Sequence, residues 1–361
     1  MLYDSLQALI AFVLTITVVV FIHELGHYTV AKLSGIKVTD FSIGFGPKIC
    51  SIKDSSGTEW KISMIPLGGY VKFLGDTDPT SSDNLKLDTK ERKHAFFNKS
   101  LLTKALVVVA GPVANFLLGI FIFTYFFFMH GTLVSNTEIQ TVLPGSPAAQ
   151  IELRPGDKIV AVDDHKTTDF NELASYIAIN PGIKINLTIE RNKEIVKKDV
   201  VPQALEIKDK VGNSMLVGKL GVTFSAPQHK KLSFLSSINA SCKEIGRMTA
   251  LTLKGIGQMI HGQRGTKELG GPIKIARYAG ASMQEGAFSI LYFISLISVN
   301  LGIVNLLPIP LLDGGHLFFY AAEAICGKKI SGYIQKYAIK VGFIALLSLM
   351  LLAVLNDIIY F

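Results

Sequence analysis

The sequence predicts an α-helical polytopic membrane protein of about four transmembrane helices, with a small β-element after the first span and one inserted soluble α/β module. Three observations carry this. Hydrophobic residues make up 49% of the 361 and charged residues 18%, against ~25% charged in an ordinary soluble domain. Runs without a charged side chain recur, at Leu6–Ile22, Ala105–Met129 and Ala287–Leu312, near the ~20 residues that cross a ~30 Å hydrocarbon core. From about Glu138 to Pro202 the composition turns to that of a soluble α/β module.

The net charge of +8 fits anionic lipid and a positive-inside topology in a chain this apolar. No pattern resembling an RNA-recognition motif, a zinc finger or a helix-turn-helix accompanies it, so no nucleic-acid partner is expected. Cys50, Cys242 and Cys326 are odd in number and far apart. That excludes a disulfide framework and a cysteine-based zinc site. The flank Met1-Leu-Tyr-Asp4 lacks the basic start of a signal peptide, and no small-residue cleavage site follows. The first run is therefore expected to stay as a helix.

Residues 1–35 are expected to be the first span, ending in His23-Glu24-Leu25-Gly26-His27. On a helix this spacing puts both imidazoles on one face, where they can share a zinc ion. Glu24 can then hold and deprotonate a water. A charged residue at membrane depth is costly and is kept for function or pairing. The alternative is a chance match on a juxtamembrane helix.

Residues 36–100 are expected to be a β-rich element and a polar loop, the loop running from Asp76 to Lys99. Val38–Ile43, Lys48–Ile52 and Trp60–Ile65 have strand composition, with turns at Gly44, Gly46-Pro47, Ser55-Ser56-Gly57 and Gly68-Gly69. Such a sheet beside the first span offers an edge to an extended peptide, or is a packing hairpin. Residues 101–130 are the second span and contain Gly111-Pro112-Val113-Ala114-Asn115. Glycine and proline there need neighbours to satisfy freed backbone groups. Asn115 faces another helix through close packing, or stands beside the site.

Residues 131–230 are expected to be the inserted module with a β extension. Thr141–Ala149 reads as strand, tight turn and helix start, Leu153–Val162 as turn into strand, Phe170–Ile179 as helix, and Ile183–Glu190 as a half-buried strand. The phrase PGSPAAQ…LRPGDKIVAVD resembles a PDZ domain, which binds extended peptides or chain ends by strand addition. Residues 231–286 mix apolar residues with Lys243, Arg247 and Lys254. They are read as an amphipathic interfacial helix and connecting loop, the alternative being a soluble helix packed on the module. Residues 287–316 form the third span, broken near its end by Pro308 and Pro310, and 337–358 the fourth.

A catalytic zinc takes three protein ligands and a water. Glu59 and Glu91 lie in the strand region and the polar loop, and Tyr28–Val38 holds no histidine. Asp313 is the better third ligand, being anionic, in an apolar run and hard to explain unpaired. It is the only acid besides Glu24 that the sequence places at membrane depth. His316 lies about a turn away, as a supporting residue or a cap. With four spans, the ends of the first and third fall on one side. Lys32, Lys37, Lys328 and Lys329 make that side cytoplasmic and put the module on the other.

HELGH at 23–27, FSIGFGP…IPLGGYVK, GPVANF at 111–116, the PDZ-like module, GGPIKIA and NLLPIPLLDGGH together resemble the bacterial site-2 proteases. These are the intramembrane zinc metalloproteases that include the regulator of sigma-E protease. The likeness covers nearly the whole chain. It implies one zinc per chain bound by His23, His27 and Asp313, with Glu24 as general base. It also implies that Asn305, Pro308 and Pro310 help hold the substrate strand. Gly68, Gly69 and Tyr70 would belong to the family's membrane-associated β-element. The implied activity is cleavage within the membrane segment of single-span proteins, such as anti-sigma factors or remnant signal peptides, with the active site toward the cytoplasmic side of a bacterial inner membrane and the PDZ domain periplasmic. A single PDZ module departs from the best-known enterobacterial member, which has two. The rival readings are a zinc or cation transporter and an inactive PDZ scaffold.

Overall fold

A computed structural model describes residues 2–75, 88–163, 165–167, 169–209, 214–225, 228–263, 265 and 270–359. The chain forms two compact units, Met1–Ile122 with Leu269–Phe361, and Phe123–Glu268. Among the described residues four helices are long and apolar enough to cross a membrane: Leu6–Leu33, Leu101–His130, Ala287–Asn305 and Gly332–Ile359.

The first unit begins with α1 (Leu2–Leu33), then β1 (Val38–Lys53) and β2 (Glu59–Phe73). Residues 76–87 of the expected polar loop lie outside the described residues. The rest holds α2 (Thr89–Arg92) and a 3-10 turn at Phe96–Asn98, before α3 (Leu101–His130). The β1–β2 hairpin is bent back on itself. Asp40–Ile43 pairs on one side with Glu59–Ile62 and on the other with Gly69–Lys72, while Glu59–Ile62 also pairs with Cys50–Lys53. The result is a four-rung sheet whose two outer edges are Gly69–Phe73 and Cys50–Lys53. Aromatic packing ties this sheet to α1. Trp60 stacks on Phe41 with centroids 4.3 Å apart, and Tyr28 meets both rings edge-on at 5.0 and 5.8 Å. Asp54, at the hairpin turn, accepts hydrogen bonds from Trp60 Nε1 at 3.1 Å and Tyr28 Oη at 3.2 Å.

The second unit holds β3 (Thr132–Val134), β4 (Ile139–Val142), α4 (Pro147–Gln150), β5 (Lys158–Val162), β6 (His165–Lys166), α5 (Phe170–Ala178), β7 (Ile185–Arg191), β8 (Glu194–Val200), β9 (Gln203–Lys208), β10 (Ser214–Lys219), β11 (Val222–Phe224), β12 (Gln228–Lys230) and α6 (Phe234–Ile260). Its main sheet has the order β6-β5-β7-β8, and β4 pairs with β11. Alternate residues Ile185, Leu187 and Ile189 of β7 point inward onto Ile159, Val162, Leu173 and Ile177, the period-2 burial of a half-covered strand. Asp169 caps α5, accepting from Asn171 N at 2.7 Å. Beneath the sheet Arg191 grips the buried Asp157 through two 2.7 Å hydrogen bonds. Two basic residues of α6, Arg247 and Lys254, face the module, while Lys243 is exposed. Arg247 donates to Ser175 Oγ at 2.6 Å, Lys254 Nζ stands 3.5 Å from the Tyr176 ring centroid, and Gln258 donates to Asn180 Oδ1 at 3.0 Å. These contacts belong to a helix packed on the module, the alternative weighed against an interfacial one.

The chain re-enters the first unit through α7 (Pro272–Gln284), α8 (Ala287–Asn305), α9 (Asp313–Cys326) and α10 (Gly332–Ile359). Ala11 and Phe12 of α1 pack with Ala279 of α7 and Phe293 of α8. Asp357 near the end of α10 is buried and accepts from Gly271 N at 2.9 Å and Lys274 N at 3.0 Å, capping α7. The third span differs from the expected 287–316. The helix stops at Asn305, a loop carries Pro308 and Pro310, and a separate helix starts at Asp313. Proline removes an amide donor and disfavours helix in the residue before it. Two prolines spaced by one residue therefore turn a kink into a full break. Gly314 and Gly315 let the loop fold back. A Cβ on Gly314 would stand 2.5 Å from Leu306 C, and one on Gly315 2.8 Å from Ile309 C.

Candidate metal centre

Helical spacing alone brings His23 and His27 of α1 together. Their Nε2 atoms are 3.2 Å apart and their rings meet edge-on. The break between α8 and α9 delivers the third residue. Asp313, in the first turn of α9, puts Oδ2 3.2 Å from His23 Nε2 and 3.6 Å from His27 Nε2. Each of the three residues offers one ligand atom, all within 4.8 Å of one another, and theirs is the one such group among the described residues. All three side chains are at most 17% exposed.

The donor set fits a metal ion on two further grounds. Asp313 Oδ2 is buried and has no hydrogen-bond partner, despite two imidazole nitrogens within 4 Å. A carboxylate oxygen so placed is costly unless a cation meets it. His27 Nδ1 lies 2.8 Å from the main-chain oxygen of Val107. A carbonyl can only accept, so Nδ1 carries the proton and Nε2 turns a lone pair into the cluster. This is the usual orientation of a metal-bound histidine. Two imidazole nitrogens and a carboxylate oxygen suit zinc, with a position left for a water.

Helix α3 makes the room. A Cβ on Gly111 would stand 2.6 Å from His27 Cε1 and 2.8 Å from His23 Cε1, so only glycine lets the imidazoles lie against this helix. Gly26 of α1 answers it, since a Cβ there would be 2.8 Å from Ala114 Cβ. Asn115, fully buried, puts Nδ2 3.2 Å from His23 Nδ1.

Glu24 is 8% exposed and turns toward the sheet edge. A Cβ on Gly69 would lie 3.1 Å from Glu24 Cγ, 2.8 Å from Val20 Cγ1 and 2.7 Å from Ser42 O. The Gly69–Phe73 rung of the sheet thus runs directly beside the carboxylate. Gly68 has φ +88° and packs on the Phe45 ring, on which Tyr70 stacks at 6.1 Å. Asn305, the last residue of α8, places Nδ2 3.3 Å from His23 Nε2. Pro308 is exposed in the loop, and the Pro310 carbonyl lies against α10, where a Cβ on Gly342 would be 2.9 Å from its carbon. His316 stands one turn along α9 from Asp313, outside the three-residue cluster.

The sequence reading missed two buried acids in this unit, Glu323 and Asp357. Glu323 accepts from Ile330 N at 3.0 Å, and both carboxylates are occupied by backbone donors. Asp357 is the lone charged residue of 341–361 and Glu323 that of 314–327, so an acid in an apolar run was a signal for both, as it was for Asp313. The interhelical partners Val107 and Gly111 were also missed, although glycine in an apolar helix is a recognisable sign of close approach.

A family model described as "Peptidase family M50" matches residues 11–349. The protein Atu1380 of Agrobacterium fabrum, whose name describes a zinc metalloprotease, is 37% identical over 97% of this chain and 95% of its own. A similarly named protein of Rickettsia conorii, RC0203, is 41% identical over 97% of this chain and 98% of its own. Among solved structures, the PDZ domain of an SdrC-like protein from Listeria monocytogenes covers 25% of this chain and 88% of its own, at 22% identity and a TM-score of 0.20.

Proposed function

The chain belongs to peptidase family M50, a metalloprotease family, and on that premise we propose that it cuts peptide bonds within the membrane segment of single-span proteins. His23, His27 and Asp313 hold one zinc ion per chain, and Glu24 is the general base. The observation that carries this reading is the convergence of those three ligand atoms within 4.8 Å, two from the apolar helix α1 and one from the first turn of α9, just past the apolar helix α8 and its loop. A peptidase family leaves the transporter and scaffold readings without support.

Zinc held by these residues supplies Lewis-acid polarisation of a carbonyl and acidifies a water. Glu24 takes the proton of the attacking water on its carboxylate and returns it to the leaving amide nitrogen. The Gly69–Phe73 edge offers main-chain donors and acceptors to an extended substrate, and at Gly69 it lies against Val20 and Glu24 of α1. A helical substrate hides its carbonyls in internal hydrogen bonds, so the edge favours the unwound form. Asn305, with its amide 3.3 Å from His23 Nε2, is placed to hold a substrate carbonyl. Pro308 and Pro310 shape the loop opposite. The module fits a sorting role, taking a peptide or chain end in its groove. Lys32, Lys37, Lys328 and Lys329 favour a cytoplasmic face for the active-site end in a bacterial inner membrane, with the module periplasmic. Anti-sigma factors and remnant signal peptides are the substrate classes in keeping with this arrangement.

The test is a cleavage assay in liposomes with a panel of single-span substrates, alongside zinc analysis of each protein. Wild type should cut within the span, Glu24→Gln should keep zinc and lose cleavage, and Asp313→Ala should lose both. Undiminished cleavage by Glu24→Gln would overturn the mechanism.

A further inference from the structure

Four side chains surround His23. Its Nε2 edge faces His27 Nε2 at 3.2 Å, Asp313 Oδ2 at 3.2 Å and Asn305 Nδ2 at 3.3 Å. Among the described residues its Nδ1 has one hydrogen-bonding neighbour, Asn115, whose Nδ2 is 3.2 Å away. Asn115 is 0% exposed, and its Oδ1 is buried without a hydrogen-bond partner. The two facts conflict with a histidine that binds metal through Nε2. Such a ring must carry its proton on Nδ1, and an amide nitrogen cannot accept it. An amide turned over about its last bond has nearly the same shape. The turn brings the orphaned Oδ1 to His23 Nδ1.

We propose that Asn115 is the positioning residue of the metal centre: its Oδ1 accepts the Nδ1–H of His23, fixing the tautomer that aims the Nε2 lone pair at the ion. The inference rests on the reading of His23, His27 and Asp313 as the ligands. Two features hold the amide in place. Ser298 Oγ donates to the Asn115 main-chain oxygen at 3.0 Å, and a Cβ on Gly302 would stand 3.5 Å from Asn115 Cβ. Helix α8 thus pins Asn115 from behind while its side chain points to α1. With Val107 O serving His27 Nδ1 at 2.8 Å, α3 then supplies an acceptor to each histidine: a main-chain carbonyl for one, a side-chain carbonyl for the other. Partners of this kind orient a ligand and raise its basicity, and losing one typically weakens metal binding about 10- to 100-fold.

The experiment measures zinc affinity of the full-length protein in detergent, by competition with a chromogenic chelator, in a Glu24→Gln background so that no readout depends on turnover. Asn115→Ala and Asn115→Leu should each weaken zinc binding about 10- to 100-fold, and Asn115→Asp, which keeps an acceptor, should hold it within a few-fold of the parent. The unfolding midpoint of each metal-free protein is recorded in parallel. If Leu restores affinity and Asp does not, the residue acts by filling space and the proposal is overturned. Equal affinity in all three variants overturns it too. His27→Ala separates the two layers. If that variant loses zinc while the Asn115 variants do not, only the role of Asn115 fails. If it binds zinc like the parent, the ligand assignment fails with it.

Discussion

His27 Nδ1 and the main-chain oxygen of Val107 lie 2.8 Å apart, joining two apolar helices at the metal centre. The bond orients the imidazole, and Gly111, one turn further along α3, lets the ring lie flat against the helix. In Gly111→Ala the new methyl would stand 2.6 Å from His27 Cε1. One ring or one helix must move. The expected outcome is a zinc affinity at least about 10-fold weaker, with proteolysis lost in step. Chelator competition and the cleavage assay check it.

Gly69 should separate metal binding from catalysis. A methyl there meets Ser42 O at 2.7 Å, Val20 Cγ1 at 2.8 Å and Glu24 Cγ at 3.1 Å, and none of these three nearest atoms belongs to a ligand. Gly69→Ala is expected to keep its full zinc content while cleavage falls about 100-fold, the cost of displacing reacting groups by about 1 Å. Loss of zinc in this variant would contradict the division of labour.

The module should be sensitive to acid through Asp157. Burial pushes its carboxyl up, but hydrogen bonds from Arg191 and from Arg154 N more than offset this, leaving it below the ordinary carboxylate range. A depressed carboxyl stabilises the fold above its unfolded value of about 3.9. That contribution is lost as pH falls through the folded value. Hydrogen exchange across residues 158–200 of the full chain should therefore stay slow at neutral pH and accelerate below about pH 4. Asp157→Asn should flatten this dependence and cost about 3 kcal/mol at neutral pH, at the low end for a broken buried pair because Arg191 keeps 22% exposure.

Asp357 should hold the start of α7. Asp357→Ala removes the acceptor for Gly271 N and Lys274 N. A lost cap of this kind costs about 1 kcal/mol. Amide exchange at residues 273–276 should quicken about fivefold, as 1 kcal/mol implies, while zinc content stays unchanged.

The sequence by itself determined what depends on near neighbours. Four helices follow from apolar runs of spanning length, and His23, Glu24 and His27 from a helical spacing of four. The strand composition of 38–65 and the alternation of 183–190 likewise mark local periods. Asp313 was reachable by elimination, because an acid in an apolar run needs a partner. Tertiary structure decided what depends on residues far apart in the chain. His23 meets Asn115 92 positions on and Asn305 282 positions on, and no periodicity encodes such distances. The third helix stops at Asn305 because two prolines and two glycines together fold the loop onto α9, an outcome of packing as well as propensity. Glu323 and Asp357 are buried because backbone donors from another turn or helix come to meet them. Arg247 and Lys254 of α6 turned to the module for the same reason. A lysine or arginine pattern fits a membrane surface or a protein surface equally well, and only the ring of Tyr176 and the hydroxyl of Ser175 show which surface it met.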